Sequence, residues 1–234
     1  MRKDLPVWRS LLFVPVTQRR FVDGAARRGA DAIILDLEDS VAASEKERAR
    51  TLVPEAAEIV SRGGADVMVR LNRPLRMTVR DLEAVIGPGV QAVALPKAES
   101  ADHVRLVAEI IDELEVERGL PLGTTKMLAM VETASAFFRI AEIARAHPRL
   151  VGLNLGTEDF ALSAGMLPEA DGLLMPKQMC VFAARAAGIM PLGFVGTVAE
   201  FSGPRRLSPD GAPLAPHRFC RRQRHSPEPG RDPQ

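Results

Sequence analysis

The chain has 234 residues, 46% of them apolar and 26% charged, which supplies a buried core and argues against a disordered or membrane-spanning protein. The formal charge is +1, yet the last 33 residues carry seven Arg against three acids, so the body before them is mildly acidic and presents no footprint for nucleic acid. Two cysteines, Cys180 and Cys220, are too few and too isolated for a disulfide framework or a zinc site, so a reducing, cytoplasmic setting is expected.

The first residues, MRKDLPVWRSLLFVPV, place positive charge before an apolar stretch. That stretch is short and lacks a small-residue cleavage site, so no signal peptide is expected. No apolar run approaches the ~20 residues of a membrane span, and no membrane partner is expected. Strand-length apolar runs then recur at 10–16 (SLLFVPV), 32–39 (AIILDLED), 66–72 (DVMVRLN), 91–97 (QAVALPK), 126–132 (KMLAMVE), 150–156 (LVGLNLG) and 191–198 (PLGFVGTV). Between them lie stretches of helical spacing, among them ASEKERARTLVPEAAEIVSRGG, ADHVRLVAEIIDELEVERG and PKQMCVFAARAAG, several of which end at Gly. Strand followed by helix, repeated, predicts parallel strands with crossover helices.

Near-continuous apolar strands imply burial on both faces, as in a barrel or a doubly wound sheet. Asp36, Arg70, Lys97, Glu132 and Asp159 fall at or near the C-terminal ends of different strands, and a closed barrel gathers such ends around one mouth. No GxGxxG follows a strand, which weakens a Rossmann-like sheet. The prediction is an α/β fold, a (β/α)₈ TIM barrel that is incomplete, with seven recognisable strands over residues 1–201. Residues 202–234 hold seven prolines and no run fit for a buried strand, so they are predicted to be disordered and to supply no eighth strand. A change so abrupt inside the last barrel unit leads us to expect a frameshifted or truncated end, with a natural variable tail as the alternative.

Glu132 and Asp159 each stand where an apolar run gives way to a small-residue loop, in MLAMVETASAF and VGLNLGTEDFALS. Each alone could be a helix cap. Together they form a pair of hard oxygen donors suited to Mg²⁺, which is held by one or two carboxylates while water and substrate oxygens complete its octahedron. Arg70 ends the third run, and an arginine in an apolar strand must meet a carboxylate, either in the protein (Asp36 or Glu38) or in a ligand. Asp36 and Glu38 share one strand face, fit to hold metal-bound water from behind. Lys97 either pairs with these acids or forms a Schiff base, a role a metal site makes redundant. The histidines lie in helical, loop or tail contexts, and none reads as catalytic.

RSLLFVP, AIILDLEDSV, VRLN, ALPKAES, MLAMVETASAF and LNLGTEDFA, in this order over residues 8–201, resemble the citrate lyase β-subunit and malyl-CoA lyase-like aldolases of the HpcH/HpaI aldolase/citrate lyase type. The resemblance implies a (β/α)₈ barrel assembled as a homotrimer or homohexamer. It also implies Mg²⁺, or Mn²⁺, as cofactor and an acyl-CoA substrate, whose C–C bond is cleaved to acetyl-CoA and a 2-oxo acid. Carried over motif by motif, it makes Glu132 and Asp159 the metal ligands and Arg70 the substrate-binding arginine, with Asp36 and Asp39 lining the same mouth. The main-chain amides of Gly156 and Thr157 are expected to meet substrate oxygens, and Arg9, Arg19 and Arg20 to meet CoA phosphates. Family members often have Gly where this chain has Val16, and the fuller ones carry a His-Pro motif and a C-terminal acid that this tail lacks. Related metal-dependent pyruvate aldolases, which cleave 4-hydroxy-2-oxo acids, carry a His base where this chain has Asp39, which favours the CoA-thioester branch. A body that binds acyl-CoA without turnover is the non-catalytic alternative.

Overall fold

The computed structural model describes residues 5–193 with their side chains, and the backbone of Arg222–His225. Each apolar run supplies one parallel strand: β1 (Ser10–Pro15), β2 (Ala32–Asp36), β3 (Asp66–Arg70), β4 (Ala92–Leu95), β5 (Lys126–Val131), β6 (Leu150–Leu155) and β7 (Met190–Leu192). The helices between them are α1 (Arg19–Ala25), α2 (Lys46–Ser61), α3 (Leu75–Val85), α4 (Ala101–Glu117), α5 (Ala134–Phe137), α6 (Ile140–Ala144), α7 (Thr157–Ala164) and α8 (Ala170–Ala186). Neighbours in sequence are neighbours in the sheet from β1 to β7, the arrangement of a curled, incomplete (β/α)₈ barrel.

One predicted feature is corrected. Residues 202–234 do supply a strand: β8 (Arg222–His225) pairs in parallel with β1, from Ser10↔Arg222 to Phe13↔His225. The prediction asked for an apolar run, but ladder bonds are made by the backbone, and the free edge of β1 accepts any extended segment. The strand order β7-β6-β5-β4-β3-β2-β1-β8 is linear, so among the described residues β7 and β8 are edges and no pairing closes the ring. Residues 194–198 of the seventh run and the rest of the tail, with its expected disorder, lie outside the described residues.

Period-two alternation separates two cores. Leu11, Phe13, Ala32, Ile34, Met68, Ala92, Ala94, Leu128 and Met130 point inward, together with Trp8, Val151, Met190 and Leu192. Leu12, Val14, Ile33, Leu35, Val67 and Val69 point outward, against the helices. The helices follow the same logic on a period of 3.6: α4 buries Val104, Val107, Ala108, Ile111 and Leu114 on one stripe. Its start is fixed by Ser100, whose hydroxyl accepts the His103 N–H at 3.1 Å, a cap worth ~1 kcal/mol. Among the described residues no helix is long and apolar enough to cross a membrane.

Candidate active site

The alternation that builds the inner core also aims the polar groups. Asp36 follows Ile34 by two positions, Arg70 follows Met68, and Glu132 follows Met130, so all three continue inward-facing rows past the last apolar layer. Because every strand is parallel, these positions gather at one end of the sheet. The Arg70 fork grips Asp36 through Nε–Oδ1 and Nη2–Oδ2, both at 2.7 Å. The same Asp36 oxygens accept the main-chain N–H of Glu38 at 2.8 Å and of Ser40 at 3.2 Å, which wraps the β2 loop around the pair. Nη1 of Arg70 reaches Asp39 Oδ2 at 3.0 Å and Glu38 Oε2 at 3.1 Å, and the guanidinium lies 5.2 Å from the centre of the Phe13 ring.

Across the mouth, Lys97 follows β4 with φ +46°, a left-handed conformation that costs a non-glycine residue ~1 kcal/mol or more and that surrounding structure must hold. Its N–H donates to Glu132 Oε2 at 2.9 Å. Its ammonium lies 3.0 Å from Glu38 Oε1, 2.9 Å from Asp159 Oδ2 and 3.7 Å from Glu132 Oε2. Asp159 belongs to the first turn of α7, and Glu132 ends the extension of β5. Gly156 lets these elements meet, because a Cβ there would lie 2.5 Å from Glu132 Oε1.

Five carboxylates therefore surround two cations, Arg70 and Lys97. Burial pushes the Glu132 carboxyl up to about 7, against the pull of the Lys97 ammonium. Glu38 is also raised by burial, with Arg70 opposing. Burial would raise Asp36 too, but the two bonds from Arg70 hold it below the ordinary carboxylate range. Burial disfavours the charge of Lys97, yet its bond to Asp159 and the attraction of Glu132 keep it above the usual lysine value. An acid-rich pocket of this kind favours cations.

Of the residues named from the sequence, Asp36, Arg70, Asp39, Glu132 and Asp159 come together at the mouth. Asp39 is the most exposed of these acids, its side chain 60% accessible. Thr157 opens α7 beside them, its hydroxyl bonded to Glu158 Oε2 at 2.8 Å. The Gly156 amide is not available to a substrate, since it donates to the Val131 carbonyl at 3.0 Å along the β5–β6 boundary. Arg9 is the clearest correction. It precedes β1, at the opposite end of a parallel sheet from Arg70, and its guanidinium is paired with Asp31 at 2.7 Å. Arg19 is committed to Asp23 and Glu55, whereas Arg20, exposed in the loop-proximal turn of α1, rests 5.3 Å over the Phe21 ring.

Two residues with only supporting parts in the sequence-derived set lie at the centre of the cluster: Glu38, buried between Arg70 and Lys97, and Lys97 itself, whose ammonium pairs with the neighbouring acids. The alternation signal pointed to Glu38, two residues beyond Asp36, more strongly than to Asp39. Among the described residues no three His, Cys, Asp or Glu side chains converge as a metal site made wholly of protein would require. Mg²⁺ asks for less, one or two carboxylates with water and substrate oxygens. Glu132 and Asp159 fit that demand: their oxygens already face a common cation, the Lys97 ammonium.

A model of the HpcH/HpaI aldolase/citrate lyase family matches residues 9–204. Citrate lyase subunit beta of Leuconostoc mesenteroides subsp. cremoris is 36% identical over 192 residues, covering 81% of this chain and 64% of that protein. The chain thus spans a little under two thirds of that relative's length. A (3S)-malyl-CoA thioesterase of Cereibacter sphaeroides is 38% identical over 185 residues, covering 78% of this chain and 61% of the other. Among solved structures, the protein CitE of Mycobacterium tuberculosis in complex with magnesium, acetoacetate and coenzyme A superposes with a TM-score of 0.60 at 34% identity, over 78% of this chain and 64% of that one.

Proposed function

Because the chain belongs to the HpcH/HpaI aldolase/citrate lyase family, we propose that its mouth binds Mg²⁺ through Glu132 and Asp159 and cleaves a 3-hydroxyacyl-CoA thioester to acetyl-CoA and a 2-oxo acid. The observation that carries this reading is the excess of carboxylates over cations at the strand ends, centred on an ammonium that both proposed ligands share. The magnesium and coenzyme A in the Mycobacterium tuberculosis complex support the choice of ion and of thioester.

When bound, Mg²⁺ supplies a Lewis acid for the hydroxyl and carboxylate oxygens of the substrate. The rest falls to side chains. Asp39 is the carboxylate with open access and takes the hydroxyl proton as the C–C bond breaks. Arg70, whose fork is locked on Asp36, offers its fixed charge and its Nη1, on the side of the exposed Asp39, to the negative oxygen of the departing acetyl-CoA enolate. Asp36 acts through Arg70: both its oxygens are occupied, so it sets the guanidinium's orientation rather than moving a proton. The proton that Asp39 has taken then returns, directly or through water, to the enolate carbon and leaves acetyl-CoA.

The test is incubation of the full chain and Mg²⁺ with citryl-, malyl- and citramalyl-CoA, with acetyl-CoA, 2-oxo acid and free CoA all measured. Paired release of acetyl-CoA and a 2-oxo acid is expected. Free CoA with the intact hydroxy acid would mean thioester hydrolysis, the activity named for the Cereibacter relative, and would overturn the lyase reading. Acyl-CoA binding without any product would make the chain a binding module.

A further inference from the structure

We propose that Lys97 is a built-in competitor for the divalent ion: its ammonium holds the ion's place in the free protein and withdraws onto Glu38 when the ion binds. The inference rests on the reading of Glu132 and Asp159 as metal ligands. Lys97 Nζ stands 2.9 Å from Asp159 Oδ2 and 3.7 Å from Glu132 Oε2, within the space bounded by the two proposed ligands. Mg²⁺ takes its oxygens at about 2.0–2.1 Å, so ion and ammonium cannot share these oxygens without strong repulsion.

The same ammonium already has a second anchor. Glu38 Oε1 lies 3.0 Å from it, on the side of Nζ that leads toward Arg70. The other Glu38 oxygen is buried, makes no hydrogen bond and faces Arg70 Nη1 at 3.1 Å, which leaves Oε1 to Lys97. The Glu38 segment is fixed from behind by Lys46, whose ammonium donates to the Leu37 and Glu38 carbonyls, both at 2.6 Å. Lys97's own backbone is pinned by the bond from its N–H to Glu132. The side chain can therefore move from one carboxylate set to the other while the strand ends stay in place. Glu38 is thus a positioning residue that acts through Lys97.

A double-mutant cycle on the full chain tests this, with Mn²⁺ as probe and free Mn²⁺ read by electron paramagnetic resonance. Lys97→Met removes the competitor, and Mn²⁺ should bind more tightly, by about tenfold, the size of coupling that contacting residues show. Glu38→Gln removes the anchor, so Mn²⁺ should bind more weakly in the parent background and nearly unchanged in the Lys97→Met background. Equal losses in both backgrounds would mean that Glu38 acts only through its charge, and would overturn the proposal. So would weaker or unchanged binding in Lys97→Met. Should that variant fail to fold, Lys97→Gln removes the same charge with a shorter polar chain and carries the same expectation. Absence of Mn²⁺ binding in all forms would overturn the metal reading itself, a result distinct from binding with additive effects.

Discussion

At the mouth, Arg70 is held by Asp36, Glu38 and Asp39; at the other end of the same sheet Arg149, just before β6, is held by Glu115 and Asp112. Both guanidiniums are buried and both are gripped through all three nitrogens. The difference lies in what remains unsatisfied. Glu115 accepts the Thr125 and Gly123 amides at 2.6 and 2.7 Å as well as the arginine, and Arg149 also donates to the Thr125 carbonyl at 2.9 Å. This lower cluster ties α4 to the starts of β5 and β6. The upper one leaves a buried Glu38 oxygen that has its ion pair to Arg70 but no hydrogen bond, a lysine in left-handed backbone and an exposed Asp39. Local closure serves stability, and local incompleteness is where a ligand gains affinity.

Substitution of the two arginines should separate these roles with the largest effects. Arg149→Ala leaves the Glu115 carboxylate buried and unpaired, which should cost ~3–5 kcal/mol of stability in chemical denaturation. The molecules that remain folded should bind Mn²⁺ as the parent does. Arg70→Lys keeps a charge for Asp36 but loses the fork, so the rate should fall by ~10²–10³ with a far smaller loss of stability. An Arg70→Lys enzyme with the parental rate, or an Arg149→Ala chain as stable as the parent, would erase the distinction.

A smaller effect should appear on acidification. Burial would raise Glu115, but the bond from Arg149, with the Thr125 and Gly123 amides, more than offsets it and leaves the carboxyl below its ordinary value of 4.5. A depressed carboxyl stabilises the fold above its unfolded pKa, and that contribution is lost as pH falls through the folded one. Melting temperature should therefore decline below about pH 4.5, and Glu115→Gln should flatten part of that decline while lowering stability at neutral pH. A mutant with the parental acid slope would remove Glu115 from the account.

Much of this was legible in the sequence, for reasons the coordinates make plain. Apolar runs marked β1 to β7, since doubly buried strands leave a strong signal. Strand-end position gathered Asp36, Arg70 and Glu132 at one mouth, and period two put Asp36 and Glu38 on one face. What stayed hidden was long-range or confined to the backbone. Pairing of Lys97 with the strand-end acids is one of its two expected roles, but nothing local announces that this lysine will adopt φ +46°. The loss of the Gly156 amide to Val131 follows from the register of β5 with β6, which the sequence does not print. β8 pairs through main-chain groups that every sequence carries. Arg9 was open to a better reading, because a residue that precedes a parallel strand lies at the end away from the mouth.

That last point yields the finest contrast between the two ends. Arg9 and Arg20 are both exposed arginines eleven positions apart, with β1 between them, so one stands at the base and the other at the mouth. Arg9 is saturated by Asp31, which also accepts the Arg9 and Ser10 main-chain amides at 2.7 and 2.9 Å. Arg20 rests on Phe21 beside the loop that leaves β1, and at the mouth end it is the arginine we propose for the phosphates of a CoA ester. Arg20→Ala should raise KM for the CoA ester by about 2- to 5-fold, the size of one exposed ion pair, with kcat unchanged. The rise should shrink as salt is added, because exposed charges are screened. Arg9→Ala should leave KM at the parental value at every salt concentration. If the two variants behaved alike, the phosphates would approach from another side of the mouth, and the polarity that separates a binding end from a stabilising end would not extend to these surface charges.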